Sequence, residues 1–239
     1  MTYIGIDFSL NSPAFCVFSN SKFSWFSLTR TEKKFDSFVK SKDKPFFVLS
    51  ELPEFELCFL EKKTLPENYS EKERVKIDYF LELVEFFWGH IEKHITEKQT
   101  YIALEGLSFA SNGNALIDIS MATALLRERI VRKIGSQNFY VYSPTSVKKF
   151  AFKGNAKKDE LYLSLIEKKI PETNFSALTK VLSENKENWI TPSKSVNKPL
   201  DDIIDSTWIC LNLFEEKNSL LENHEINLTP GELKRKKSK

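Results

Sequence analysis

Two rhythms of apolar residues alternate along the chain. At 3–7, 14–18 and 23–28, short runs rich in aromatic and β-branched residues are separated by turns containing Ser and Asn, which predicts three consecutive antiparallel strands. From 31 to 68 the pattern weakens into charges mixed with brief apolar runs at 46–49 and 57–60, an elaboration with room for extra strands. Ser70 and Glu73 then stand at capping-box spacing, and Val75, Tyr79, Phe80, Leu83, Val84, Phe87, Ile91 and Ile95 recur at helical intervals. Residues 101–104 read as a buried strand ending at Glu105. Residues 115–133 read as a helix with Ile119, Ala122, Leu126 and Ile130 inward, and 139–142 as another strand. Pro144 behind Ser143 starts a short helix, 158–169 forms a further one, and 200–214 regains helical periodicity after a polar, irregular stretch at 171–199.

An antiparallel start followed by alternating strands and helices predicts an α/β fold. It should have a central mixed sheet of about five strands, the first three antiparallel, with helices on both faces and the final helix against the first strand. The 239 residues suit one domain at 1–217, with insertions near 31–68 and 171–199, followed by a polar tail at 218–239 that carries Lys234, Arg235, Lys236, Lys237 and Lys239. A composition of 41% hydrophobic and 28% charged residues excludes general disorder. The net charge of +2 means that any affinity for nucleic acid must come from local clusters of Lys and Arg. Cys16, Cys58 and Cys210 are far apart, odd in number and without CxxC spacing, so neither a disulfide framework nor a cysteine zinc site is expected. No apolar stretch approaches membrane-spanning length and no basic leader precedes the first strand. A soluble, intracellular, cytoplasmic protein is expected.

Four acids fall where such a fold would gather them. Asp7 lies on the first strand, Glu105 ends the fourth, and Asp202 and Asp205 sit on the last helix. An Asp inside the run Tyr-Ile-Gly-Ile-Asp-Phe is costly unless its charge is compensated, and a divalent cation would do so. The i,i+3 spacing puts Asp202 and Asp205 on one helix face, with Asp201 pointing elsewhere. Oxygen-only ligation suits Mg2+, with Mn2+ in its place, and a two-ion site of this kind hydrolyses phosphodiesters. The plainer alternative has Asp7 capping a turn with Ser9, Glu105 as a loop acid, and Asp201 and Asp202 favouring a helix N-terminus.

The ordered set, a Gly-Ile-Asp strand, a strand-terminal Glu before a helix and a C-terminal D-x-x-D helix, resembles the RuvC-type Holliday-junction resolvases of the RNase H-like superfamily, in a divergent viral or phage-like branch. Residues 4–9 are similar to that family's first catalytic strand. Residues 103–106 with 114–127 are similar to its second acid and adjoining helix, and 202–206 to its terminal motif. The turn after Asp7, with Phe8, Ser9, Leu10 and Asn11, departs from the family's Pro-Gly-Ser-like turn. The resemblance implies an RNase H-like fold and a homodimeric, Mg2+-dependent endonuclease for branched DNA. Asp7, Glu105, Asp202 and Asp205 would be its catalytic and metal-binding tetrad, and the product ends would be 5′-phosphate and 3′-hydroxyl. The host cytoplasm would be its location if the protein is viral.

Lys148, Lys149, Lys153, Lys157 and Lys158 cluster between the strand at 139–142 and the next helix. They are candidate phosphate contacts, with a solvated basic surface as the alternative. The family's aromatic in the loop after its second acid implies a base-stacking role for Phe109, which core packing would explain equally well. Two other readings stay open: an RNase H-type nuclease acting on RNA–DNA hybrids or flaps, and a non-catalytic module that binds branched DNA. His90 and His94 are spaced i,i+4 but lack an H-E-x-x-H motif and read as helix-surface histidines. No G-x-S-x-G elbow and no second Gly-rich phosphate loop is present, which weighs against serine hydrolases and actin-like ATPases.

Overall fold

The computed structural model describes residues 1–39, 49, 52, 54–96, 99–107 and 113–226. Among these residues six strands form one sheet: β1 (Thr2–Asp7), β2 (Ala14–Ser19), β3 (Lys22–Thr29), β4 (Phe55–Phe59), β5 (Thr100–Glu105) and β6 (Phe139–Tyr142). The sheet order is β4-β3-β2-β1-β5-β6. β1, β2 and β3 pair antiparallel, whereas β5 runs parallel to β1, β6 to β5 and β4 to β3. The α-helices are α1 (Glu32–Val39), α2 (Tyr69–Glu92), α3 (Gly113–Ile134), α4 (Pro144–Ala151), α5 (Lys158–Glu167), α6 (Phe175–Glu184), α7 (Lys186–Trp189) and α8 (Leu200–Ile226). This is an RNase H-like α/β fold with one strand more than expected at the edge beyond β3. The added strand, β4, comes from the 31–68 segment, where a short apolar run completes a ladder that β3 leaves open on one side.

The period-2 rule sorts the strand side chains onto two faces. Ile4, Ile6, Phe15, Val17, Phe26, Leu28, Ile102 and Leu104 pack against α2 and α3, where Phe80, Leu83, Phe87, Leu126 and Ile130 meet them. Tyr3, Cys16, Phe18, Phe23, Trp25 and Ala103 face the other way and pack under α8 and the helices around it. The odd-numbered residues of β1 and β5 therefore look toward α8, and Asp7 and Glu105 are odd-numbered ends of those strands.

Three local expectations are corrected. The N-cap of α2 is Asn68, whose Oδ1 accepts from the Glu71 N–H at 3.1 Å, in place of the Ser70 capping box. The 171–199 stretch is not irregular: it carries α6 and α7, with Phe175, Leu178, Leu182 and Trp189 buried. Asn174 fastens this segment to the sheet, accepting from the Phe23 N–H at 2.7 Å and donating to the Phe23 carbonyl at 2.8 Å. Polar residues lie between its few apolar anchors, which diluted the helical signal. The last helix, expected at 200–214, continues to Ile226.

Candidate active site

Gly5 governs how α8 meets the sheet. A Cβ built on it would lie 2.2 Å from the Cys210 backbone nitrogen and 2.5 Å from the Ser206 carbonyl oxygen. Only a residue without a side chain admits a helix backbone at that range. One step along β1, the Cys210 thiol donates to the Tyr3 carbonyl at 3.5 Å. The helix thus runs down the strand with Cys210 over Tyr3 and Ser206 over Gly5. Four residues of helix advance about 6 Å and two residues of strand about 6.6 Å, so the next pair in the series is Asp202 with Asp7. The match of these two periods places the D-x-x-D motif over the end of β1.

Glu105 reaches the same place by sheet register. β1 and β5 pair in parallel as far as Ile6 and Leu104, and Asp7 and Glu105 are the next residue on each strand. The acids therefore converge from β1, β5 and α8, and their mutual influence is plain. Burial first, then the Asp205, Asp202 and Glu105 charges, pushes the Asp7 carboxyl well above the usual carboxylate range. Burial and Asp205 push Glu105 up to about 7, against the pull of Lys158 and Lys148. Asp205 is pushed up to about 6 by burial, with Lys158 opposing and Asp201 adding to the rise. Asp202, 3% exposed, is raised by burial, with Lys198 opposing.

Two lysines hold the cluster together. Lys158 Nζ pairs with Asp205 and lies 2.8 Å from Asp201 Oδ1. Burial works against its charge, but Asp205 and Asp201 outweigh burial and raise the ammonium pKa. Lys198 Nζ lies 2.8 Å from Asp202 Oδ1 and 3.0 Å from Ser12 Oγ. Asp201, expected to point elsewhere, joins the cluster through Lys158, because Asp201 and Asp205 are spaced i,i+4 and share a helix face that one ammonium can span. Five carboxyls against two ammonium groups leave three negative charges if all ionise. The second oxygen of Asp202, Oδ2, is buried and accepts no hydrogen bond among the described residues. A hard divalent cation fits this all-oxygen, electron-rich and incompletely satisfied donor set.

The lysine run divides. Lys158 is inside the cluster and Lys148 acts on Glu105. Lys153 pairs with Glu160, whose other oxygen accepts from the Lys157 N–H at 2.8 Å. Lys149 and Lys157 are exposed. Phe109 and the tail lysines lie outside the described residues. Sequence reasoning missed Lys198, Ser12 and Arg30. Lys198 stands four residues before Asp202, a spacing that was visible. Ser12 and Arg30 belong to turns that carry no motif. Next to Lys198, a pocket of about 360 Å³ is lined by Ser12, Arg30, Lys62 and Lys198 among others. A second pocket, of about 120 Å³, opens directly on Asp7 and Glu105 and is walled by Leu116, Ile119 and Thr123 of α3.

No protein-family model matches the chain, and no curated protein matches it. Among solved structures it is similar to that of Thermus thermophilus RuvC, at 13% identity and a TM-score of 0.45, over 91% of this chain and 97% of that one. It is also similar to T. thermophilus RuvC in complex with a Holliday junction substrate, at 14% identity and a TM-score of 0.42, over 88% and 91% of the two chains. At that distance the fold rests on the strand order and directions described above rather than on either neighbour. No helix among the described residues is long and apolar enough to cross a membrane.

The raised carboxyls make a prediction for the metal-free protein. Glu105 titrates near 7 and Asp205 near 6 when folded, against 4.5 and 3.8 ordinarily. Below about pH 4 both states hold these protons and nothing is lost. As pH rises toward about 7, the unfolded chain releases them first, so folding stability falls. The melting temperature without divalent cations should therefore drop between about pH 4 and about pH 7. Added Mg2+ should raise it more at the higher pH, as differential scanning fluorimetry would show.

Proposed function

We propose that this chain is a Mg2+-dependent endonuclease that cuts branched DNA, four-way junctions foremost, as a homodimer related to the RuvC-type resolvases. The observation that carries the reading is the convergence of Asp7, Glu105, Asp202 and Asp205 from β1, β5 and α8 at one end of the sheet, against their mutual repulsion. A fold maintains such a cluster at a cost to stability, and clusters of this kind concentrate at functional sites. Two Mg2+ ions, or Mn2+ in their place, would be held by these four acids and would supply activation of water and stabilisation of the leaving oxygen in phosphodiester hydrolysis.

The chain's own groups do the binding and orienting. Lys148 beside Glu105 and Lys158 on Asp205 are cations next to the acids, suited to a backbone phosphate. On the Asp202 side, Lys198 leads into the pocket that Arg30 and Lys62 share, so cations flank the acids and a strand can cross the cluster with phosphates on either side. Leu116 and Ile119 form an apolar wall on the pocket that opens on Asp7 and Glu105 and limit water there. Lys148→Ala should weaken junction binding about equally for all sequences and lower the slope of log affinity against log salt by about 1, measured by anisotropy in Ca2+.

A labelled synthetic four-way junction, with linear duplex, flap and RNA–DNA hybrid controls, tests the proposal in Mg2+ and in EDTA. Paired symmetric nicks on the junction, absent in EDTA, are expected, and sedimentation of the complex should show two copies. Preferential cutting of the hybrid or flap would move the assignment to an RNase H-type activity. Tight junction binding with no cutting of any substrate would make the chain a binding module.

A further inference from the structure

A second cluster of metal-ligating side chains lies on the opposite face of the sheet from α8, where the added edge strand β4 meets α2. Glu56 and Cys58 are alternate residues of β4 and so project from the same face of the strand. His90 projects from the last turn of α2 onto them. The Cys58 Sγ lies 3.5 Å from Glu56 Oε1 and 4.0 Å from His90 Nε2, and His90 Nδ1 lies 3.4 Å from Glu56 Oε1. One ligand atom from each of the three falls within 4.8 Å of the others. In a tetrahedral zinc shell with bonds of about 2.0–2.3 Å, neighbouring donors stand about 3.3–3.6 Å apart. His90 faces Cys58 with Nε2 and Glu56 with Nδ1, so the three donors, one from each residue and within 4.8 Å of one another, would draw together by up to about an ångström on a shared ion.

We propose that Glu56, Cys58 and His90 form a zinc site, independent of the carboxylate cluster, that ties the β4 edge strand to α2. The donor types select the ion. A thiolate and an imidazole favour a borderline transition metal over Mg2+, whereas the acid cluster offers only hard oxygens. The imidazole is held in place by Phe26 and Phe86, at ring-centroid distances of 4.6 and 4.9 Å, so His90 is oriented before any ion arrives. The fourth position falls to water. Lys93 Nζ, 3.3 Å from His90 Nδ1, is exposed and would be displaced by the ion. The sequence had pointed away from this site, since Cys58 has no CxxC partner and His90 and His94 read as surface residues. Neither signal foresees a strand and a helix supplying ligands 32 positions apart.

The test uses the full chain, stripped with chelator and titrated with Co2+ as a spectroscopic stand-in for zinc. A thiolate-to-cobalt charge-transfer band saturating at one equivalent, and bleached by equimolar Zn2+, is expected. Cys16 and Cys210 are fully buried, so the band reports Cys58, and zinc should slow alkylation of that thiol in the wild type. Cys58→Ser and His90→Gln should lose the band, while Asp7→Asn keeps it. No band in the wild type, or undiminished alkylation with zinc present, would overturn the site whether or not the variants fold. A band that survives in Cys58→Ser would place the ion on another thiol and overturn it as well. Junction cleavage is scored separately, so the nuclease reading and the zinc site fail independently.

Discussion

Asp7→Asn is expected to reduce Mg2+-dependent junction cleavage by at least about a thousandfold, without weakening the fold. The Asp7 carboxyl is pushed well above its usual range by burial and by Asp205, Asp202 and Glu105, so a neutral amide of the same shape relieves repulsion in the metal-free protein. The melting temperature without divalent cations should hold or rise near pH 8, and the stabilisation added by Mg2+ should shrink. Loss of cutting together with a retained or raised melting temperature separates a chemical role from a packing one. Cleavage within about tenfold of wild type would remove Asp7 from the proposed machinery.

Gly5→Ala carries the second large effect, on stability. The new methyl would sit 2.2 Å from the Cys210 nitrogen and 2.5 Å from the Ser206 carbonyl, backbone atoms in the middle of a helix that cannot swing aside as a side-chain tip would. Relief requires α8 to lift from β1 and β2. We expect a loss of at least about 4 kcal/mol, a large share of the roughly 5–15 kcal/mol that holds a domain together. Chemical denaturation should show it as a lowered midpoint, and any folded fraction should cut poorly, because Asp202 and Asp205 move with the helix. A midpoint shift below about 1 kcal/mol would mean that α8 is not seated on Gly5.

These two positions show how far the chain could be read beforehand. Aromatic and β-branched runs at 3–7 and 101–104 marked the strands, and Asp7 was evident as a misfit in an apolar run, but which side each residue faces was not. The i,i+3 pair at Asp202 and Asp205 showed a shared helix face. What stayed hidden depended on contacts between distant segments. The role of Gly5 exists only once α8 lies on it. Ser12 and Lys198 meet across 186 positions, Lys158 bridges two acids over 40 residues away, and β4 is a strand because β3 offers an unpaired edge. The helices of the 171–199 stretch were masked by polar residues between Phe175, Leu178 and Leu182, a stripe too narrow to stand out in a short helix.

The seating of α8 on β1 also bears on how the protein would fail. Most enzymes carry reactive groups on loops that open long before the core does. Here Asp7 and Glu105 end central strands, and Asp202 rides on the helix that covers them, so the acids share the cooperative unit that opens last. Amide protons of β1 and of α8 around Ser206 and Cys210 should then exchange only through global unfolding. On heating, activity and the folded state should vanish together, with no inactive but folded stage between them.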